Sequence, residues 1–247
     1  MNRIFPAPGG EVTAAEAVMA DRPAPATRPW VMLNMISSVD GAAALDGKSG
    51  GLGGEADHAL FHQLRGIADV IIAASGTVRA ETYGPVQPSD EVREARKDRG
   101  QSELAPIAVI TGSLQLDWET PFFTEAVSRP IVITREDAPE ESLRAASEHS
   151  DVIAAGTGQI DFPVAFAALR ERGHRLALLE GGPSINNVLF GLGLIDELNL
   201  SLAPALVGGN PLRIIAGDAF DDAPSLALDQ VAEKDDYLFL RYRATRR

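Results

Sequence analysis

The chain has 247 residues, 45% of them apolar and 23% charged, long enough to bury a sizeable core and unlike a disordered or coiled-coil composition. It contains no cysteine, which excludes disulfides, thiolate metal sites and a cysteine nucleophile together. Its net charge of −13 repels nucleic acid and anionic membranes, so a phosphate-bearing ligand must find positive charge locally, from particular arginines or helix N-termini.

Residues 1–28 carry Pro6, Pro8, Pro23 and Pro25 around a possible short helix within Glu11–Ala20, and read as a loosely attached arm. They hold no apolar run of signal-peptide length, and no segment of the chain reaches the ~18 apolar residues of a membrane span. A cytoplasmic protein is expected. Residues 29–247 are expected to form a single domain. It opens with an apolar strand over Trp30–Ile36, followed by Ser37-Ser38-Val39-Asp40-Gly41. The run GKSGGLGG at Gly47–Gly54 predicts a mobile loop, since glycine weakens regular structure. Leu60, Phe61, Leu64 and Ala68 predict a helix over Glu55–Ala68, and Asp69–Ala74 (DVIIAA) a buried strand.

The stretch Glu81–Glu103 is polar and proline-bearing and reads as an excursion or loop. Strands follow at Ile107–Thr111 and Ile131–Thr134, then a helix over Glu140–Glu148 and a strand at Val152–Ala155. Asp161 caps a helix carrying Phe162, Phe166 and Leu169 on one face. Arg175–Leu179 is a buried strand that runs into Glu180-Gly181-Gly182-Pro183-Ser184 and a helix through Val188 and Leu189. Strands at Glu197–Ala203 and Tyr237–Tyr242 complete the set, with no clear helix between them. Arg241, Arg243, Arg246 and Arg247 read as a solvated chain end. Alternating strands and helices predict an α/β fold of three layers, with helices on both faces of a sheet that is parallel in its centre and antiparallel at one edge.

Two strand–glycine–helix junctions carry the chemistry: DVIIAASGTVRAE at Asp69–Glu81 and LALLEGGPSINNVL at Leu176–Leu189. Free N–H groups and the helix dipole make such junctions anion sites, and two of them at strand carboxyl ends point to a dinucleotide. A tight turn is the alternative for either one. Asp40 is either a common Asp-Gly turn residue or a carboxylate that orients a polar ligand. Glu180 ends an otherwise apolar strand and faces either a ligand or a structural salt bridge. His58 and His62 stand at i, i+4, but the glutamate of an H-E-x-x-H zinc site is missing, so no metal is expected.

Three segments together resemble one family. VMLNMISSVDGAAA resembles its first signature, an apolar strand followed by S-x-D-G. SGGLGGEADHALFHQLRGIADVIIAASGTVRAE resembles its second, and LLEGGPSINNVLFGLGLIDELNLSLAPALVGG its third. The family is the riboflavin-biosynthesis pyrimidine reductases, with a dihydrofolate reductase-like fold, matched in order and spacing over about residues 29–244. The resemblance implies NADPH-dependent reduction of the ribosyl group of a ribosylamino-pyrimidine phosphate to ribityl, by a homodimer. It places Ser37, Gly76, Thr77, Val78, Glu81, Thr111 and Gly181, Gly182, Pro183, Ser184, Ile185 and Asn186 against NADPH. It places Asn34, Ser49, Arg65 and Glu180 against substrate, with Asp40 and Glu180 managing the proton. Asn34 matches archaeal and fungal-type members, whereas many bacterial members carry lysine, so it bears on which pyrimidine is used. Gly51 replaces an aromatic, Glu81 an aspartate, and an arginine of some members has no counterpart in Tyr83–Pro88. No H-x-E or P-C-x-x-C marks an accompanying zinc deaminase domain. A reductase of another heterocycle, such as dihydrofolate, or a non-catalytic NADPH-binding protein are the alternative readings.

Overall fold

The computed structural model describes residues 1–45, 47–84 and 88–245. Arg246 and Arg247 of the expected basic end, and residues 85–87 of the Tyr83–Pro88 stretch, lie outside them. In chain order the elements are β1 (Asn2–Phe5), β2 (Gly10–Glu11), α1 (Ala14–Val18), β3 (Trp30–Ser38), a short 3-10 turn over Ser49–Gly51, α2 (Glu55–Ile67), β4 (Val70–Ala74), α3 (Ser75–Ala80) and α4 (Asp90–Asp98). They continue with β5 (Ile107–Ile110), α5 (Pro121–Thr124), β6 (Ile131–Thr134), α6 (Glu140–His149), β7 (Asp151–Ala154), α7 (Phe162–Glu171), β8 (Leu176–Leu179), α8 (Pro183–Gly191), β9 (Glu197–Ala203), β10 (Ser225–Lys234) and β11 (Tyr237–Thr245).

Residue contacts divide the chain into two compact units, Met1–Arg22 with Val31–Leu64 and Leu179–Arg247, and Pro23–Trp30 with Arg65–Leu178. In the first unit the strand order is β2-β1-β10-β11-β9-β3. Its outer strands are antiparallel, and β3 runs parallel to β9 in the register Asn34↔Asn199 and Ile36↔Ser201. In the second unit the order is β8-β4-β5-β6-β7, with β4 through β7 all parallel. The mixed α/β class, with a parallel centre and an antiparallel edge, is as the element pattern predicts. Val70, Ile71, Ile72, Val109, Val132 and Ile133 are buried, consistent with near-continuous apolar runs in parallel strands. Asp161 caps α7 by accepting from Val164 N at 3.1 Å, as its position predicts.

Four expectations are corrected. The N-terminal segment is not loose: β1 pairs antiparallel with β10, and Ala17 and Val18 of α1 are buried. The polar stretch 81–103 contains α4, capped by Ser89. Apolar periodicity misses α4 because the residue it buries is Arg96, whose guanidinium donates to the carbonyls of Gly66 (3.1 Å), Ala68 (2.6 Å) and Ser102 (2.8 Å). Strand β10 is a further element that local patterning does not announce; it forms a hairpin with β11 through Asp235 and Asp236, both at positive φ (56° and 67°), as two-residue hairpin turns require. Finally, Arg241 and Arg243 are not a solvated chain end. Arg241 is 7% exposed and pairs with Asp229 at 2.5 Å, while Arg243 lies 3.7 Å from Asp229 and 4.0 Å from Glu197.

Candidate active site

In the first unit, Glu180 stands almost fully buried just past the carboxyl end of β8, and the chain then turns at Gly181 and Gly182 into α8. Gly181 has φ +91° and is joined to Gly182 by a cis peptide bond. A Cβ at Gly181 would stand 3.4 Å from Met35 Sδ and 3.9 Å from Asn186 Nδ2, so the turn rests on β3 beside Asn34. Glycine meets the backbone conformation required there without the strain a side chain would bring. Gly182 is the N-cap, no side chain caps the helix, and Pro183 at its first position has no N–H. The N–H groups of the exposed Ser184 and half-buried Ile185 therefore lack acceptors within the helix. Asn186, expected against the cofactor, is completely buried. Its Nδ2 donates to Ile214 O at 2.8 Å and lies 3.4 Å from Met35 Sδ, and its Oδ1 has no hydrogen-bond partner. Asn186 acts from behind the turn, fixing α8 to the 214 segment.

The end of β3 is built around Ser38 and Asp40. Ser37 is 6% exposed and its Oγ donates to Ser38 O at 2.8 Å. Ser38 Oγ donates to Asp40 Oδ1 at 2.5 Å and accepts from Ala42 N at 2.9 Å. Asp40 accepts further from Val207 N (3.1 Å to each oxygen) and Gly208 N (2.7 Å). These donors, Ser38 first, hold its carboxyl down from 3.8 to about 2. Asp40 is thus a strut tying the 207–208 segment to β3. Because the folded-state value is depressed, the stability Asp40 contributes is present above about pH 4 and lost as the pH falls toward 2. Asp40→Asn is expected to lower neutral-pH stability and to flatten the pH 4–2 limb of an acid-unfolding curve followed by circular dichroism; an unchanged limb would refute the strut.

Ser49 begins the 3-10 turn of the glycine-rich loop, and Leu52 N donates to its carbonyl at 2.9 Å. Tyr237 of β11 holds the same loop by donating its hydroxyl to Leu52 O at 2.9 Å. Just beyond lies an acid that the sequence reading passed over. Asp57, in the first turn of α2, is hydrogen-bonded to Ser201 of β9, and burial pushes its carboxyl above the usual aspartate value. The pattern S-G-G-x-G-G-E-x-D held the only cue, an aspartate two residues inside a helix start, which is normally a dipole partner.

In the second unit, the half-buried Arg65 lies with its guanidinium carbon 5.3 Å from the Tyr83 ring centroid, a cation–π geometry. Gly76, Thr77 and Val78 lie in α3; Gly76 is exposed, and Val78 packs against the Ile71–Val109–Phe122 core. Glu81 N donates to Thr77 O at 3.0 Å, closing that helix. Thr111 is 3% exposed and its Oγ1 accepts from Leu114 N at 3.1 Å, which shapes the turn after β5. The expected residues thus fall on both units: Asn34, Ser37, Asp40, Ser49 and Glu180 to Asn186 on the first, and Arg65, Gly76, Thr77, Val78, Glu81 and Thr111 on the second.

A glycine turn at a strand's carboxyl end, opening a helix without a side-chain cap beside a buried carboxylate, is a geometry that α/β enzymes use to hold an anionic ligand. The particular family follows from comparison. Residues 29–237 match the RibD C-terminal domain, and the chain belongs to that family. It is 30% identical over 199 residues to the 2,5-diamino-6-ribosylamino-4(3H)-pyrimidinone 5′-phosphate reductase of Methanothermobacter thermautotrophicus, covering 79% of this chain and 87% of that one. Identity to the protein of the same name from Aquifex aeolicus is 31% over 206 residues, with 81% and 88% covered. Among solved structures, a pyrimidine reductase-like protein from Corynebacterium diphtheriae superposes with a TM-score of 0.83 at 30% identity, covering 96% of this chain and 100% of that one. Among the described residues no helix is long and apolar enough to cross a membrane.

Proposed function

We propose that this protein reduces the ribosyl group of 2,5-diamino-6-ribosylamino-4(3H)-pyrimidinone 5′-phosphate to ribityl, with NADPH as reductant, in riboflavin biosynthesis. The observation that carries the reading is Glu180, a buried carboxylate at the mouth of the Gly181-Gly182 turn. The names of the relatives support the substrate, and Asn34, where many bacterial members carry lysine, supports the form that is not yet deaminated.

The turn residues fit a dinucleotide. The amino end of α8 has no side-chain cap, and the Ser184 and Ile185 N–H groups suit a phosphate oxygen. Ser37 and Gly181 to Ile185 on the first unit, and Gly76, Thr77, Glu81 and Thr111 on the second, are the residues we assign to NADPH. When bound, the cofactor supplies a hydride. The protein's own residues bind and orient the partner molecule. Glu180 accepts hydrogen bonds from the amino groups of the pyrimidine, Asn34 and Ser49 fix its polar edge, and Arg65 neutralises the phosphate. We take the working form to be a cytoplasmic homodimer, which light scattering of the purified protein checks.

The test is NADPH oxidation followed at its absorbance band, with the diamino pyrimidine, its deaminated counterpart and dihydrofolate offered separately. Turnover of the diamino compound, at a kcat/KM at least tenfold above the other two, is the expected result. Preference for dihydrofolate would make the chain a reductase of another heterocycle, and binding of NADPH with no turnover would make it a binding protein.

A further inference from the structure

Opening of the sugar ring turns the ribosylamino group into an imine at C1′, and reduction of that imine needs one net proton for every hydride. Asp40 is committed to Ser38, Val207 and Gly208, whose hydrogen bonds hold its carboxyl well below the usual range. A second acid of the same unit is better placed. Asp57 is half-buried, and its oxygen Oδ2 lies 3.0 Å from the position a Cβ would take on Gly53; His58 Nε2 lies 3.0 Å from that same point. The carboxyl and the imidazole therefore converge on Gly53, in the glycine-rich loop that carries Ser49. His58 is exposed, so the pair runs from the interior to water.

Asp57 is also tied to the strand face expected to meet the pyrimidine. Its hydrogen-bond partner Ser201 is 2% exposed and sits opposite Ile36 in the β3–β9 register, and Asn199, two residues earlier, sits opposite Asn34. Residues two apart on a strand share a face, so Ser201, Asn199 and Asn34 line one side of this parallel pair. Burial raises the Asp57 carboxyl, while the Ser201 hydrogen bond and His58 pull it down. The elements beside it bring His58 and Glu55 from α2 itself and Tyr237 from β11, whose hydroxyl reaches Leu52 O; β9 adds the uncharged Ser201.

We propose that Asp57 is the acid that protonates the substrate during reduction, and that His58 returns the proton from water; this rests on the reductase reading above. Hydride adds to C1′ of the imine, the C=N π pair moves onto nitrogen, and that nitrogen takes the proton from the Asp57 carboxyl. The two electrons come from the reduced nicotinamide. Asp57, left as carboxylate, regains a proton from the His58 imidazolium, which draws one from water.

The test begins with the wild-type enzyme. Asp57→Asn keeps the shape and the acceptor for Ser201, and is expected to lower kcat about a hundredfold or more, the usual worth of a general acid, with pyrimidine and oxidised-cofactor affinities by calorimetry within twofold. Asp57→Glu recovers part of the rate. His58→Ala is slowed several-fold and rescued by imidazole buffer. Independently of turnover, carbon-13 carboxyl resonances of the ligand-free protein should show Asp57 titrating above the ~3.9 of an unperturbed aspartate. The proposal is overturned if wild type turns over and Asp57→Asn keeps kcat within threefold, or if the Asp57 resonance titrates at the ordinary value. Absence of wild-type turnover is a separate result: it removes the reductase reading first, and the proton donor falls with it.

Discussion

Replacing Arg22 by methionine is expected to destabilise the protein by about 3–5 kcal/mol, the range for removing one partner of a buried ion pair. Arg22 grips Glu197 in bidentate fashion, Nε to Oε2 at 2.9 Å and Nη2 to Oε1 at 2.8 Å, and its Nη1 donates to Val18 O at 2.9 Å. The two side chains are 6% and 0% exposed, so the Coulomb attraction is little screened and neither charge has water to fall back on. Without Arg22, Glu197 keeps Asn199 Nδ2 at 3.0 Å and the more distant Arg243 at 4.0 Å. A loss of that size is a large fraction of the ~5–15 kcal/mol that holds a typical domain folded. It should appear as a fall in the urea midpoint without a change in slope. The double variant Arg22→Met, Glu197→Leu should recover much of the loss, because an apolar pair carries no desolvation penalty. A single variant unfolding within 1 kcal/mol of wild type would show that the pair contributes nothing net.

That ion pair also marks where sequence reading ran out. The parallel strands were legible because DVIIAA, IVIT and ELNLSLA are compact runs, apolar in whole or in part and bounded by turn residues, and the helix at Phe162 because Asp161 caps an amphipathic stripe. The segment 1–22 gave no such signal. It is fixed by Arg22 to Glu197, by Gln230 Nε2 and Arg241 Nη1 donating to Ala17 O (3.0 and 2.9 Å), and by strand pairing with β10. All of these are long-range polar contacts that no local period encodes. Helix α4 hid for the same reason, its buried residue being an arginine. At the site, the backbone turn was legible in E-G-G-P, since glycine and proline announce their own dihedral constraints. Side-chain roles were not. Asp40 was singled out by its motif, but its partners Val207 and Gly208 lie far along the chain; Asp57 was overlooked, and its partner Ser201 is equally distant.

Glu180→Gln tests the remaining carboxylate of the site, and a fall in kcat/KM of about a hundredfold is expected. The substitution keeps the volume at the end of β8, so packing is not at issue: Ala177, Leu178 and Leu179 before it stay buried, and the Gly181-Gly182 turn keeps its shape. What is lost is the charge. A buried hydrogen bond to a charged group that loses its partner costs about 2–5 kcal/mol, and about 1.4 kcal/mol is tenfold in a rate or binding ratio. The amide also offers a donor where the pyrimidine amino groups present donors, replacing an attraction by a clash of N–H groups. The loss should therefore fall on the pyrimidine: its KM rises, or kcat/KM falls, while the dissociation constant of NADPH, read by fluorescence in the absence of pyrimidine, stays within twofold. Asp57→Asn is expected to divide the effect the other way, lowering kcat and leaving pyrimidine affinity intact. If Glu180→Gln weakened NADPH binding as strongly as it slowed turnover, the carboxylate would belong to the cofactor turn and the pyrimidine would have to be held by Asn34, Ser49 and Arg65 without it.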